Sequence, residues 1–182
     1  MENKMAVFSN SFKLKSRAVK SLVSGYGHFL GGFYTRELRE KNKLYGYELV
    51  SLSGRTERLA GKDFVSAECF NKYAVNKKAV EEFAVEEIRA AAEKNRVLLV
   101  DELGPIFLRS EVFRNALLEA LASEKGAVFF SRSSVEVGST LLKLDDMRVL
   151  KLEETGYSAS MRELEEWVYS KIKGQRGKKE GI

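Results

Sequence analysis

One cysteine, one proline and one histidine occur in this chain of 182 residues, and no glycine precedes Gly25. A lone cysteine excludes an intrachain disulfide, so Cys69 fits a reducing compartment. The sequence has no Cys-x-x-Cys or His-Glu-x-x-His spacing, which removes the common zinc patterns. No apolar run approaches the roughly 18 residues of a membrane span. Met1-Glu2-Asn3-Lys4 leads into only a short apolar stretch, so no signal peptide is expected. The expected location is the cytoplasm, with no membrane partner.

What remains is the composition of an ordinary globular protein, 44% hydrophobic and 31% charged. The length suits one domain large enough to bury a core without staples. The net charge of +5 is concentrated toward the end, in Lys171-Ile172-Lys173-Gly174-Gln175-Arg176-Gly177-Lys178-Lys179. That stretch has no hydrophobic period and reads as a solvated terminus. The expected organisation is a single domain over 1–173 and a flexible basic tail over 174–182. Nucleic-acid binding through the tail is the weakest functional reading.

Met5-Ala6-Val7-Phe8 reads as a first strand, Ser9 to Leu14 as a polar turn, and Lys15 to about Val23 as a helix. Gly31-Gly32-Phe33-Tyr34-Thr35 opens a strand-like stretch. Tyr45–Leu52 and Thr56–Ala60 flank Ser53-Gly54-Arg55 as a hairpin. A short extended piece is expected at Tyr73–Val75. Val80, Phe83, Ala84, Ile88 and Ala91 share one face of an amphipathic helix. Val97–Val100 reads as a buried strand, and Ser110 as the cap of a helix running to about Ala122. Two more strands are expected at Ala127–Phe130 and Val149–Leu152. Ser160 and Glu163 read as a capping box opening a last helix. Strands alternating with helices of this length predict a three-layer α/β fold with a mostly parallel sheet and an early β-hairpin excursion.

The chemistry-bearing stretch is Val97-Leu98-Leu99-Val100-Asp101-Glu102-Leu103-Gly104. Ligands of open α/β sheets bind beyond the carboxyl ends of such strands, where Asp101 and Glu102 emerge. An Asp there can hold magnesium through water, and the following Glu can orient an attacking water.

Several pieces in order resemble the THEP1-type nucleoside-triphosphatases, a family of small P-loop NTPases. They are Gly31-Gly32-Phe33-Tyr34-Thr35-Arg36-Glu37-Leu38-Arg39, Tyr45-Gly46-Tyr47-Glu48-Leu49-Val50, Asn71-Lys72-Tyr73-Ala74-Val75 and Val100-Asp101-Glu102-Leu103-Gly104-Pro105, followed by Ser110 and Phe113. The resemblance runs from about residue 5 to 155 and implies a P-loop NTPase-like fold and hydrolysis of ATP or GTP to the diphosphate. It also implies a Gly-x-x-x-x-Gly-Lys-Ser/Thr phosphate loop, which falls here on Ser9-Asn10-Ser11-Phe12-Lys13-Leu14-Lys15-Ser16. Lys15 and Ser16 match, as the phosphate-binding lysine and the magnesium hydroxyl. Ser9 and Leu14 replace the glycines. Two further departures are Phe107 where the family carries a Glu, and Thr155-Gly156-Tyr157-Ser158-Ala159, which lacks the family's arginine.

The resemblance therefore implies Glu102 and Lys15 as catalytic, and Ser11, Phe12, Lys13, Leu14, Lys15, Ser16 and Thr35 as facing the nucleotide. Ser16 and Asp101 would hold Mg2+ through water, only when nucleotide is bound. Glycine gives a phosphate loop its positive φ angles and its close backbone approach. Leu14 in a sparsely populated conformation would cost on the order of 1–3 kcal/mol. The expectation is an NTPase-family protein whose binding and hydrolysis are weak or lost. A non-catalytic interaction or regulatory module with an unidentified protein partner is the alternative. His28, Cys69, Arg36 and Arg39 read as structural or surface residues.

Overall fold

The computed structural model describes residues 3–94, 96–122, 125–132 and 147–177. Its strands, in chain order, are β1 (Lys4–Phe8), β2 (Leu30–Glu40), β3 (Lys43–Ser51), β4 (Thr56–Gly61), β5 (Cys69–Phe70), β6 (Tyr73–Val75), β7 (Val97–Val100), β8 (Ala127–Ser131) and β9 (Met147–Lys151). The helices are α1 (Phe12–Tyr26), α2 (Ala84–Glu93), α3 (Pro105–Arg109), α4 (Glu111–Leu121) and α5 (Tyr157–Gly177). A 3-10 turn at Gly27–Phe29 and a π turn at Ala79–Phe83 lead into β2 and α2.

All described strands join one sheet, ordered β5-β6-β4-β3-β2-β7-β8-β1-β9. From β2 to β9 every pairing is parallel, and from β2 to β5 every pairing is antiparallel. The early hairpin excursion extends the same sheet as its antiparallel half. β2 pairs with β7 only over Leu30–Phe33 and then runs on with β3. Gly32, at φ +101°, allows the close approach, since a Cβ there would collide with the Leu99 carbonyl.

Period-two alternation assigns the core. Leu98, Val100, Ala127 and Phe129 pack with α2 and α4 on one face, whereas Val97, Leu99, Val128 and Phe130 pack with α1 and α5 on the other. β7 and β8 are buried on both faces, which explains their uninterrupted apolar runs. Ser110 caps α4 as the sequence reading has it, accepting from the Phe113 N–H at 3.3 Å. Phe107 lies fully inside, its ring centroid 5.5 Å from that of Phe33 and 5.0 Å from that of Phe113.

Three local readings differ from the structure. α1 starts at Phe12, so the second half of the expected turn at Ser9–Leu14 is helix. α5 starts at Tyr157, which puts Ser160 inside its first turn. There the Ser160 hydroxyl donates to the Lys151 carbonyl, while Glu163 pairs with Arg148. α5 also continues to Gly177, past the boundary placed at residue 173, and Leu164, Val168 and Ile172 form one buried stripe along it at i, i+4 and i+8. The last part of the tail, 178–182, lies outside the described residues.

Candidate functional site

The carboxyl ends of β1, β7 and β8 meet at one place, and the chemistry-bearing residues gather there. Asp101 leaves β7 with its N–H donating to the Phe33 carbonyl at 3.2 Å. Glu102 follows at φ +57°, the left-handed region, and Leu103 returns to the sheet by donating to the Phe130 carbonyl at 2.8 Å. A non-glycine residue held there stores local strain, of order 1–3 kcal/mol, and such residues cluster at functional sites.

Lys15 reaches this turn from α1. Its Nζ lies 2.5 Å from Asp101 Oδ1 and 2.7 Å from Glu102 Oε1. Exposure is 0% for Lys15, 1% for Asp101 and 6% for Glu102, so the three charges are out of solvent together. Burial by itself would lower the lysine pKa. The charges of Asp101 and Glu102 and their hydrogen bonds outweigh it, and the ammonium is held above its ordinary value. Asp101 is fully engaged: Oδ1 also accepts from the Glu102 N–H at 2.9 Å, and Oδ2 accepts from the Thr35 N–H at 2.9 Å. The Thr35 hydroxyl is buried with no hydrogen-bond partner among the described residues. Glu102 is engaged at both oxygens, Oε1 ion-paired to Lys15 and Oε2 3.4 Å from Arg132 Nε.

The segment in the place of the phosphate loop is an ordinary capped helix start. Ser11 takes extended backbone angles and its hydroxyl accepts from the Leu14 N–H at 3.3 Å. The Lys15 N–H donates to the Ser11 carbonyl at 3.1 Å, and the Ser11 N–H to the Ser9 hydroxyl at 3.3 Å. The Ser9 hydroxyl in turn donates to the Leu152 carbonyl at 3.0 Å. Phe12 packs edge-on to Tyr47, with ring centroids 6.3 Å apart, and Lys15 Nζ lies 4.9 Å from the Phe12 ring centre. A phosphate cradle needs consecutive N–H groups turned toward the ligand. Here those of Ser11, Leu14 and Lys15 are already spent within the chain. The run Phe12-Lys13-Leu14-Lys15 has no glycine or proline to oppose the helix, whereas a glycine at position 14 would lower helix propensity by about 1 kcal/mol.

Lys15, Asp101, Glu102 and Thr35 are therefore brought together. Lys13 is exposed, Leu14 is buried in the core under β1, and Ser16 is half-buried on α1. Arg36 and Arg39 pair along the hairpin with Glu48 and Glu37. Cys69 is exposed with a free thiol. Sequence reasoning missed Arg132 and its neighbour Asn71, whose Oδ1 accepts from Arg132 Nη1 at 3.0 Å. The strand-end rule that singled out Asp101 applies equally to the end of β8, where Ser131 and Arg132 stand.

The NTPase family model matches residues 14–163. Nucleoside-triphosphatase THEP1 from Thermotoga sp. (strain RQ2) is 31% identical over 151 residues, covering 82% of this chain and 84% of its own length. The chain belongs to the THEP1-type nucleoside-triphosphatase family. A cancer-related nucleoside-triphosphatase homolog from Mus musculus is likewise 31% identical over 148 residues, covering 74% of this chain and 75% of its own. The fold agrees with the crystal structure of THEP1 from Aquifex aeolicus, at a TM-score of 0.72 and 20% identity over 90% of this chain and 96% of that one. It agrees equally with the solution structure of a human cancer-related nucleoside triphosphatase, at 0.74 and 21% over 93% and 98%. The family match begins at Leu14, so Ser9 to Lys13, most of the loop segment, lies ahead of it. Among the described residues no helix is long and apolar enough to cross a membrane, and no three His, Cys, Asp or Glu side chains form a metal-binding group.

Proposed function

We propose that this member of the THEP1-type family has weak or lost nucleotide binding and hydrolysis. The observation that carries this reading is the Ser11-capped start of α1, which uses the N–H groups of Leu14 and Lys15 for helix and cap. The ammonium that would meet the β- and γ-phosphates is buried between Asp101 and Glu102. Nucleotide binding would have to break those contacts, unwind a helical turn and re-expose Leu14.

Mg2+ does not fit the site as it is arranged. Both Asp101 oxygens already accept hydrogen bonds, and Oδ1 is also ion-paired to Lys15. No catalytic step is derived through the metal. In a member that turns over, Lys15 would bind phosphate, Ser16 and Asp101 would hold the ion, and Glu102 would orient water. Here the buried cluster makes structural use of Lys15, Asp101 and Glu102, which favours the module reading over the enzyme. Calorimetric titration with magnesium-ATP and magnesium-GTP up to millimolar nucleotide tests this, with Lys15→Ala as the control. The expected result is no heat that depends on Lys15; a binding isotherm abolished by Lys15→Ala would overturn the reading.

A further inference from the structure

A cavity of about 430 Å³ opens beside Glu102, lined among others by Phe70, Asn71, Pro105, Ile106, Arg109 and Arg132 and by no residue of Ser9–Ser16. Glu102 forms part of its wall, so one carboxylate touches both the buried cluster and the cavity. Arg109 is exposed on this wall and has no ion pair among the described residues. Arg132 is aimed by Asn71 and stacks over Phe70, its guanidinium carbon 5.7 Å from the ring centre. Its only acidic partner among the described residues is Glu102, at the loose distance of 3.4 Å. That same Glu102 sits at φ +57° with Oε1 committed to Lys15 at 2.7 Å, so only Oε2 serves Arg132. A carboxylate in a strained backbone position that meets Arg132 only loosely is an internal anion that an external one can replace on that side.

We propose that this cavity is a binding site for a phosphate-class oxyanion, separate from the phosphate-loop segment. Arg132 and Arg109 are its cationic walls, and Glu102 is the resident competitor. The ligand forms a bidentate contact with Arg132, where Glu102 offers a single oxygen at 3.4 Å. Glu68, also on the wall, disfavours ligands that spread negative charge far beyond one phosphoryl group. This site uses neither the Ser9–Ser16 backbone nor magnesium. It goes beyond the reading above, and either can fail without the other.

Inorganic phosphate, titrated by calorimetry without magnesium, tests the proposal on four forms of the full chain. These are the parent, Glu102→Gly, Glu102→Gly with Arg132→Gln, and Glu102→Gly with Arg109→Gln. Glycine is chosen because it removes the carboxylate and its side chain at a φ that glycine adopts freely. A melting transition measured for each confirms folding. The expected result is phosphate bound at least about tenfold more tightly by Glu102→Gly than by the parent, the gain lost with Arg132→Gln and reduced with Arg109→Gln. No gain on removing Glu102 overturns the proposal. A gain that survives Arg132→Gln also overturns it, because the anion then sits on Lys15 instead.

Discussion

Lys15 Nζ and Asp101 Oδ1 stand 2.5 Å apart with neither side chain open to solvent, and this pair joins α1 to the end of β7. In a phosphate-binding site those two groups would face a ligand and its metal. Here they face each other, with Glu102 as a third member. Removing only one partner of such a cluster leaves an uncompensated buried charge. Lys15→Met is expected to lower unfolding free energy by about 3–5 kcal/mol, measured by urea denaturation. A loss below about 1 kcal/mol would mean that the cluster takes up water and is not closed.

The raised Lys15 pKa adds a pH signature. A lysine whose folded pKa exceeds its unfolded value contributes stability that is fully present below the unfolded pKa, near the ordinary 10.5. That contribution is lost as pH rises through the folded value. Between pH 9 and pH 11.5, roughly spanning the ordinary lysine value, the stability advantage of the parent over Lys15→Met is therefore expected to shrink. The comparison cancels the tyrosines whose pKa burial raises, Tyr26, Tyr47 and Tyr157. An advantage that is constant with pH would contradict the assignment.

Ser11 is the cap that commits the segment to helix. Ser11→Ala is expected to cost about 1 kcal/mol, read as a lower thermal midpoint. Unchanged stability would show that α1 is set by packing of Leu14 and Phe12 alone.

The Thr35 hydroxyl is buried without a partner among the described residues, so Thr35→Val replaces that oxygen by a methyl of similar shape. The expected effect is neutral or stabilising, by up to about 1 kcal/mol. Marked destabilisation would mean that the hydroxyl makes a bond the protein needs, with an ordered water as the first suspect.

The parts of this fold legible in the sequence are those where local pattern and tertiary context agree. Val97–Val100 and Tyr73–Val75 are strands as expected, and Ser110 caps α4. The departures have a common cause in competing local signals. A phosphate-loop template puts a turn over Ser9–Leu14, but Ser11 followed by residues without glycine favours helix, and helix forms. The Ser160–Glu163 pair has the right spacing for a box, yet the backbone already turns at Gly156, φ +84°, and α5 begins ahead of it. Lys171 looks like tail in a charge count, but Ile172 beside it completes a buried stripe. At the site, the family pattern names Lys15, Asp101, Glu102 and Thr35, and the fold brings these four together. Arg132 is outside that pattern, because its place beside Glu102 comes from the pairing of β7 with β8 and not from sequence spacing.

The most direct test of the central claim is phosphate release from magnesium-ATP and magnesium-GTP by the parent, Lys15→Ala and Glu102→Gln chains, each shown to be folded. A closed, internally ion-paired site predicts that the parent releases no more phosphate than the two variants. Release by the parent that both substitutions abolish would contradict it and restore this chain to the ranks of working nucleoside-triphosphatases.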